Sequence, residues 1–122
     1  MAQSKNEMRL SDAVRPVAAQ HLKQFSQEVK RRFPDNVTQV VLFGSRARGN
    51  ARRSSDYDVA VFVRTLGNRR DVDHALADIA YPHILSGVHI RALSLPDAYL
   101  AAPHLSPLSM NIVREGIEVT DG

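Results

Sequence analysis

Two acidic side chains separated by a single residue, Asp56 and Asp58, stand ten residues beyond a Gly44-Ser45 pair, and these four positions carry the clearest chemical signal in the chain. The stretch runs Leu42-Phe43-Gly44-Ser45-Arg46-Ala47-Arg48-Gly49, then residues 50–55, then Asp56-Tyr57-Asp58-Val59-Ala60-Val61-Phe62-Val63. Asp56, Asp58 and Ala60 alternate with Tyr57, Val59 and Val61, which fits a strand. On a strand the side chains at i and i+2 leave the same face, so the two carboxylates converge. Carboxylates that close repel each other unless a cation lies between them. A hard divalent ion, Mg²⁺ or Mn²⁺, resolves the conflict and brings nucleotide phosphates with it.

The elements that must hold these groups are legible on either side. Val37–Phe43 is apolar and rich in β-branched residues, the composition of a strand, and the residues after it suit a tight turn into a short helix. Antiparallel pairing of Val37–Phe43 with Asp56–Val63 sets the end of the first strand beside the start of the second, so that Gly44-Ser45 faces the acidic pair. Gly44 permits close approach of backbone to ligand, and the Ser45 hydroxyl with the amides of a helix start can hold phosphate oxygens. Arg46 and Arg48 add charge-assisted donors.

This segment resembles the Gly-Ser, ten residues, Asp-x-Asp signature of the DNA polymerase beta-like nucleotidyltransferase superfamily, in particular its minimal stand-alone members. The tail from Ser106 to Ile117 resembles the end of such minimal domains. The resemblance implies an α/β (α+β) fold with a small mixed central sheet flanked by helices. It also implies transfer of a nucleoside monophosphate from a nucleoside triphosphate, ATP first among them, to a hydroxyl acceptor. Asp56 and Asp58 would be the catalytic metal ligands, Gly44 and Ser45 the binders of the β- and γ-phosphates, and Arg46 a neutraliser of their charge. Minimal members act as antitoxins beside a helical HEPN-type ribonuclease, which some adenylylate on tyrosine. A protein tyrosine of such a partner is therefore the leading acceptor, ahead of an antibiotic or a nucleic-acid end. The competing reading is a catalytically weak or inactive binding module of the same fold, an antitoxin acting by occlusion.

The same resemblance implies a third carboxylate on the next central strand, which reads Val88-His89-Ile90-Arg91-Ala92-Leu93-Ser94-Leu95 and contains no acid. The nearest register puts His89 at that position, with Arg91 on the same face. A neutral histidine can ligate a metal or accept a proton, but Mg²⁺ prefers oxygen and an arginine repels cations. Asp71, Asp73 and Asp97 read as helix caps rather than substitutes. His21, His74, His83 and His104 show no paired metal-ligand spacing, and no nucleophile elbow or cysteine is present for acyl transfer.

Around the motif, a cap signal at Ser11 leads to a helix that is firm from Val14 or Pro16 to Arg32. Ala18, Leu22, Phe25 and Val29 form its core face, and Phe33-Pro34-Asp35 ends it. Residues 1–10 read as a frayed start. Asp71–Tyr81 reads as a helix with Val72, Ala75, Leu76 and Ile79 on one face. Gly87 introduces the strand 88–95, Pro96-Asp97 opens a short helical or turn segment, and Ser106–Arg114 makes a last helix stopped by Gly116.

With 122 residues, the chain is expected to form one nucleotidyltransferase domain over 1–122, too small to carry a nucleic-acid-binding domain or a partner toxin as well. It has no cysteine, and no targeting or membrane-spanning pattern, which together suit a cytoplasmic protein. The net charge is +3 with pI near 9.7, and arginines concentrate between Arg46 and Arg70. Docking of a polyanion and mere solvation of loops both account for Arg52, Arg53, Arg69 and Arg70. Nucleic acid is the weaker partner, because few aromatics are available to stack on bases.

Overall fold

The computed structural model describes residues 9–120. Its frame is a four-stranded mixed sheet in the order β3-β2-β1-β4. The strands are β1 (Val37–Phe43), β2 (Tyr57–Val63), β3 (Ile90–Pro96) and β4 (Ile117–Glu118). As expected, β1 and β2 are antiparallel, in a register that sets Phe43 against Asp58 and Val40 against Val61. β3 runs parallel to β2 with Arg91 against Asp58, and a parallel neighbour requires a long crossover. Helix α4 (Arg69–Leu85) supplies it. The two-residue β4, not foreseen from the sequence, pairs antiparallel with β1 through Leu42 and Ile117.

Alternation along the strands divides the interior into two layers. Val40, Leu42, Val59, Val61, Ile90 and Ile117 face one side, where α1 (Leu10–Ala13), α2 (Pro16–Arg32), α3 (Ser45–Arg48) and α4 contribute Leu10, Leu22, Phe25, Val29, Ala47 and Leu76. Phe43, Ala60, Phe62 and Leu95 face the other, covered by α5 (Ala98–Ala101) and α6 (Pro107–Glu115) through Tyr99, Leu100 and Ile112. Ala18, Leu22, Phe25 and Val29 are all buried, as the helical spacing predicts. A fully buried side chain of the Leu or Phe kind contributes about 1.5–3 kcal/mol.

The helix ends differ from the sequence reading in instructive places. Ser11 does not cap: it lies inside the one-turn α1, whose N-cap is Arg9, and extended Val14 and Arg15 separate that turn from α2. Leu10 is buried, contrary to the frayed start expected through residue 10, and residues 1–8 lie outside the described residues. Helix α4 overruns Asp71–Tyr81 at both ends. Asn68 starts it by accepting the N–H groups of Arg70 and Asp71 on its side chain. Pro82 is carried inside its final turn, where the missing N–H costs one helical bond close to an end that must stop in any case. Ser106 caps α6 by accepting the N–H of Ser109, and Gly116 ends it. No helix among the described residues is long and apolar enough to cross a membrane.

Candidate active site

The turn after β1 has a shape that the residue types dictate. Gly44 adopts φ +79° and ψ −158°, a region essentially reserved for glycine. A Cβ at this position would lie 2.7 Å from Asp58 Oδ2, so glycine is required by conformation and by space together. The same number places Asp58 directly against the Gly44-Ser45 turn. Ser45 opens α3, which is a single turn. A helix that short has no appreciable macrodipole, so any grip on phosphate must come from the Gly44 backbone and the Ser45 hydroxyl more than from aligned amides.

Asp56 precedes β2 by one residue instead of opening it, yet its carboxylate still joins that of Asp58. One guanidinium reaches both: Arg91 Nε donates to Asp58 Oδ1 at 2.9 Å, and its terminal nitrogen lies 3.8 Å from Asp56 Oδ2. The Asp58 side chain is 19% exposed, that of Asp56 43% and that of Arg91 70%. The repulsion expected of the two carboxylates is therefore relieved by a cation from the neighbouring strand. The hydrogen bond to Asp58 and that carboxylate's charge, with a smaller push from Asp56, raise the Arg91 pKa above its ordinary value and keep it charged at every working pH.

The expected third position offers no acid beside the pair. His89 lies before β3 rather than in it, its carbonyl accepts the Tyr57 N–H at 2.9 Å, and it is exposed. Arg91 is the residue paired with Asp58. The parallel register, hidden when β3 is read alone, brings Arg91 onto the acidic pair. Among the described residues no group of three or more His, Cys, Asp or Glu side chains is arranged to hold a metal ion. Asp73 is not a cap but accepts the backbone and hydroxyl of Ser94 at 3.1 and 2.7 Å, fastening α4 to β3. Ser94 shares the sheet face of Ile90, opposite to that of Asp58, so Asp73 does not approach the pair. Asp71 is exposed in the first turn of α4, and Asp97 precedes α5 without a side-chain cap bond, beside Val63 at the far end of β2.

Arg46 is tied to the loop that precedes β2. Its Nε and terminal nitrogen donate to the Ser55 carbonyl at 3.2 and 3.0 Å, and the same terminal nitrogen to Arg53 at 3.1 Å. Its guanidinium lies over the Tyr57 ring, 4.3 Å from the centroid. The side chain thus fixes the loop that delivers Asp56, a role that sequence spacing alone does not reveal. Arg48 pairs with Glu115 at 3.0 Å, joining α3 to the end of α6.

Two clefts meet at His89. One, of about 310 Å³, lies between α4 and β3 under Ala77, Ala80, Ile84, Ile90 and Ala92 and ends at Asp56 and Arg91. The other, of about 230 Å³, is polar and is bordered by Arg46, Arg53, Ser54 and Ser55.

Residues 22–94, the span from α2 through most of β3 that contains the whole constellation, match the nucleotidyltransferase domain family. The chain belongs to that family. A Methanocaldococcus jannaschii protein, provisionally named a protein adenylyltransferase, is 34% identical over 94 residues, which are 75% of this chain and 64% of that protein. The crystal structure of a provisionally assigned nucleotidyltransferase from Sulfolobus solfataricus shares the fold, with a TM-score of 0.62 at 19% identity, over 97% of this chain and 87% of that one. The nucleotidyltransferase signature and the β1-turn-β2 unit that carries it thus coincide in this chain.

Proposed function

We propose that the chain binds a nucleoside triphosphate, ATP in the first instance, with one divalent cation and transfers its nucleoside monophosphate to a hydroxyl. The acceptor oxygen attacks the α-phosphorus, the bond to the bridging oxygen breaks, pyrophosphate departs and the hydroxyl proton passes to water. The observation that carries this reading is the contact between the Gly44 turn and Asp58, fixed by the pairing of Phe43 with Asp58. Asp58 Oδ2 and the half-exposed Asp56 carboxylate have the donor chemistry for one Mg²⁺ or Mn²⁺ beside the triphosphate. When bound, such an ion neutralises phosphate charge and assists departure of pyrophosphate. Gly44 and Ser45 bind the β- and γ-phosphates, and Arg46 holds the 53–55 loop so that Asp56 stays in position. Little covalent work remains for the protein, and positioning with electrostatics suffices.

The acceptor comes from the β3 side, where the apolar cleft ends at Asp56 and Arg91. Apolar walls with one polar end suit an aromatic hydroxyl, which supports a protein tyrosine, as does the likeness to a protein provisionally named an adenylyltransferase. The resemblance to minimal antitoxins makes a helical HEPN-type protein the first partner to try. Incubation with ATP labelled in its α-phosphate, Mg²⁺ and candidate acceptors tests the reading: label should move to protein and depend on Asp56 and Asp58. Transfer undiminished in the double Asn variant removes the site assignment.

The lack of an acid on β3, with Arg91 bonded to Asp58 instead, supports a second reading, a nucleotide-binding module with slow or no transfer. Nucleotide binding without label transfer to any acceptor would favour it.

A further inference from the structure

The two oxygens of Asp58 are divided between opposite sides of the site. Oδ1 accepts from Arg91 on β3, whereas Oδ2 is the atom nearest to where a Gly44 Cβ would stand, on the β1 side. A carboxylate that bridges two divalent ions must offer one oxygen to each. Here the oxygen on the acceptor side is already engaged by a guanidinium, and the residue paired with Asp58 on β3 is that Arg91, not an acid.

From this we infer that the site loads one divalent cation per chain, on the Gly44 side, and that Arg91 supplies the second positive charge in place of a second ion. The inference rests on the proposed triphosphate site and specifies its metal content. A guanidinium neutralises charge but can neither lower the pKa of an acceptor hydroxyl by coordination nor take its proton. The site is thus built to hold a metal-bound triphosphate firmly while doing little to activate an acceptor. At 70% exposure, the Arg91 side chain is little embedded in the core, so its replacement should leave the fold intact.

The test is a count of bound Mn²⁺ by paramagnetic resonance of the free ion, using the whole chain with a non-hydrolysable ATP analogue. The wild type should bind one Mn²⁺ per bound analogue, and Arg91→Asp two. Without nucleotide, Arg91→Gln should bind a single Mn²⁺ about tenfold more tightly than the wild type, because a competing positive charge beside the pair has been removed. Two ions in the wild type, or the same count in wild type and Arg91→Asp, would overturn the inference while leaving the triphosphate site standing. Failure of the analogue to bind in a manner that needs Asp56 and Asp58 would remove both. Circular dichroism of each variant verifies that the fold is retained.

Discussion

The two sides of the acidic pair are built differently. On the β1 side everything is local: Phe43, Gly44 and Ser45 are followed within fifteen residues by Asp58, and an antiparallel register closes the turn onto the carboxylate. On the β3 side the neighbour arrives from more than thirty residues away by way of α4, in parallel register, and it is a base bonded to Asp58. Under the proposed function the first side would grip the triphosphate, whereas the second presents a guanidinium to the same carboxylate. Binding and chemistry can therefore be separated within a single sheet.

The sharpest way to break that comparison is to remove the shared pair. Asp56→Asn with Asp58→Asn should lower metal-dependent ATP affinity by about 10²-fold or more, since two charged ligands are lost at once. Calorimetry with and without Mg²⁺ reads it, and a double variant that binds as the wild type does would detach both sides from the nucleotide.

Gly44→Ala attacks the β1 side alone. The substitution meets both a glycine-only backbone conformation and Asp58 Oδ2, so it should cost about 1–3 kcal/mol in thermal stability and reduce nucleotide binding with it. Gly49 is the natural control: its φ is +81°, but nothing lies within 4 Å of where a Cβ would be. Gly49→Ala should show a backbone cost near 1 kcal/mol and keep its affinity. Equal behaviour of the two variants would mean that the contact between Gly44 and Asp58 does not shape the site.

Local spacing also explains which parts of this arrangement were legible in the sequence. The β1-turn-β2 unit, the core face of α2 and the cap of α6 follow from short-range periodicity and turn chemistry. The pairing of β3 does not. Its register depends on how α4 delivers the chain, and α4 itself is longer than its pattern because Asn68 can cap it and Pro82 can ride in its last turn. That is why the bond of Arg91 to Asp58 is not legible in β3 alone, why Asp73 reads as a cap when it holds Ser94, and why the hold of Arg46 on the 53–55 loop does not show in its motif position.

Ser45→Ala probes the β1 side more gently. If the hydroxyl binds phosphate oxygens, ATP should lose about 1.5–3 kcal/mol of binding while adenosine is unaffected, because a hydrogen bond to a charged group is at stake. Equal losses for the two ligands would place Ser45 at the base or in the fold instead of at the phosphates.

The smallest effect is expected where the sequence alone would have predicted a gain. His89→Asp inserts an acid at the position read as the third carboxylate, yet His89 is exposed, lies outside β3 and is tied to β2 through its backbone. With Arg91 still bonded to Asp58 Oδ1, a carboxylate at 89 does not free the oxygen that a second ion would need. An exposed charge is also heavily screened by solvent. The rate of label transfer and the Mn²⁺ count should both stay near wild type, the rate within about threefold, which corresponds to less than 1 kcal/mol in the barrier. A second bound Mn²⁺ in His89→Asp would show that β3 shifts toward Asp56 when an acid is offered there. The acceptor side would then be plastic, and Arg91 a displaceable counter-ion in place of a built-in one.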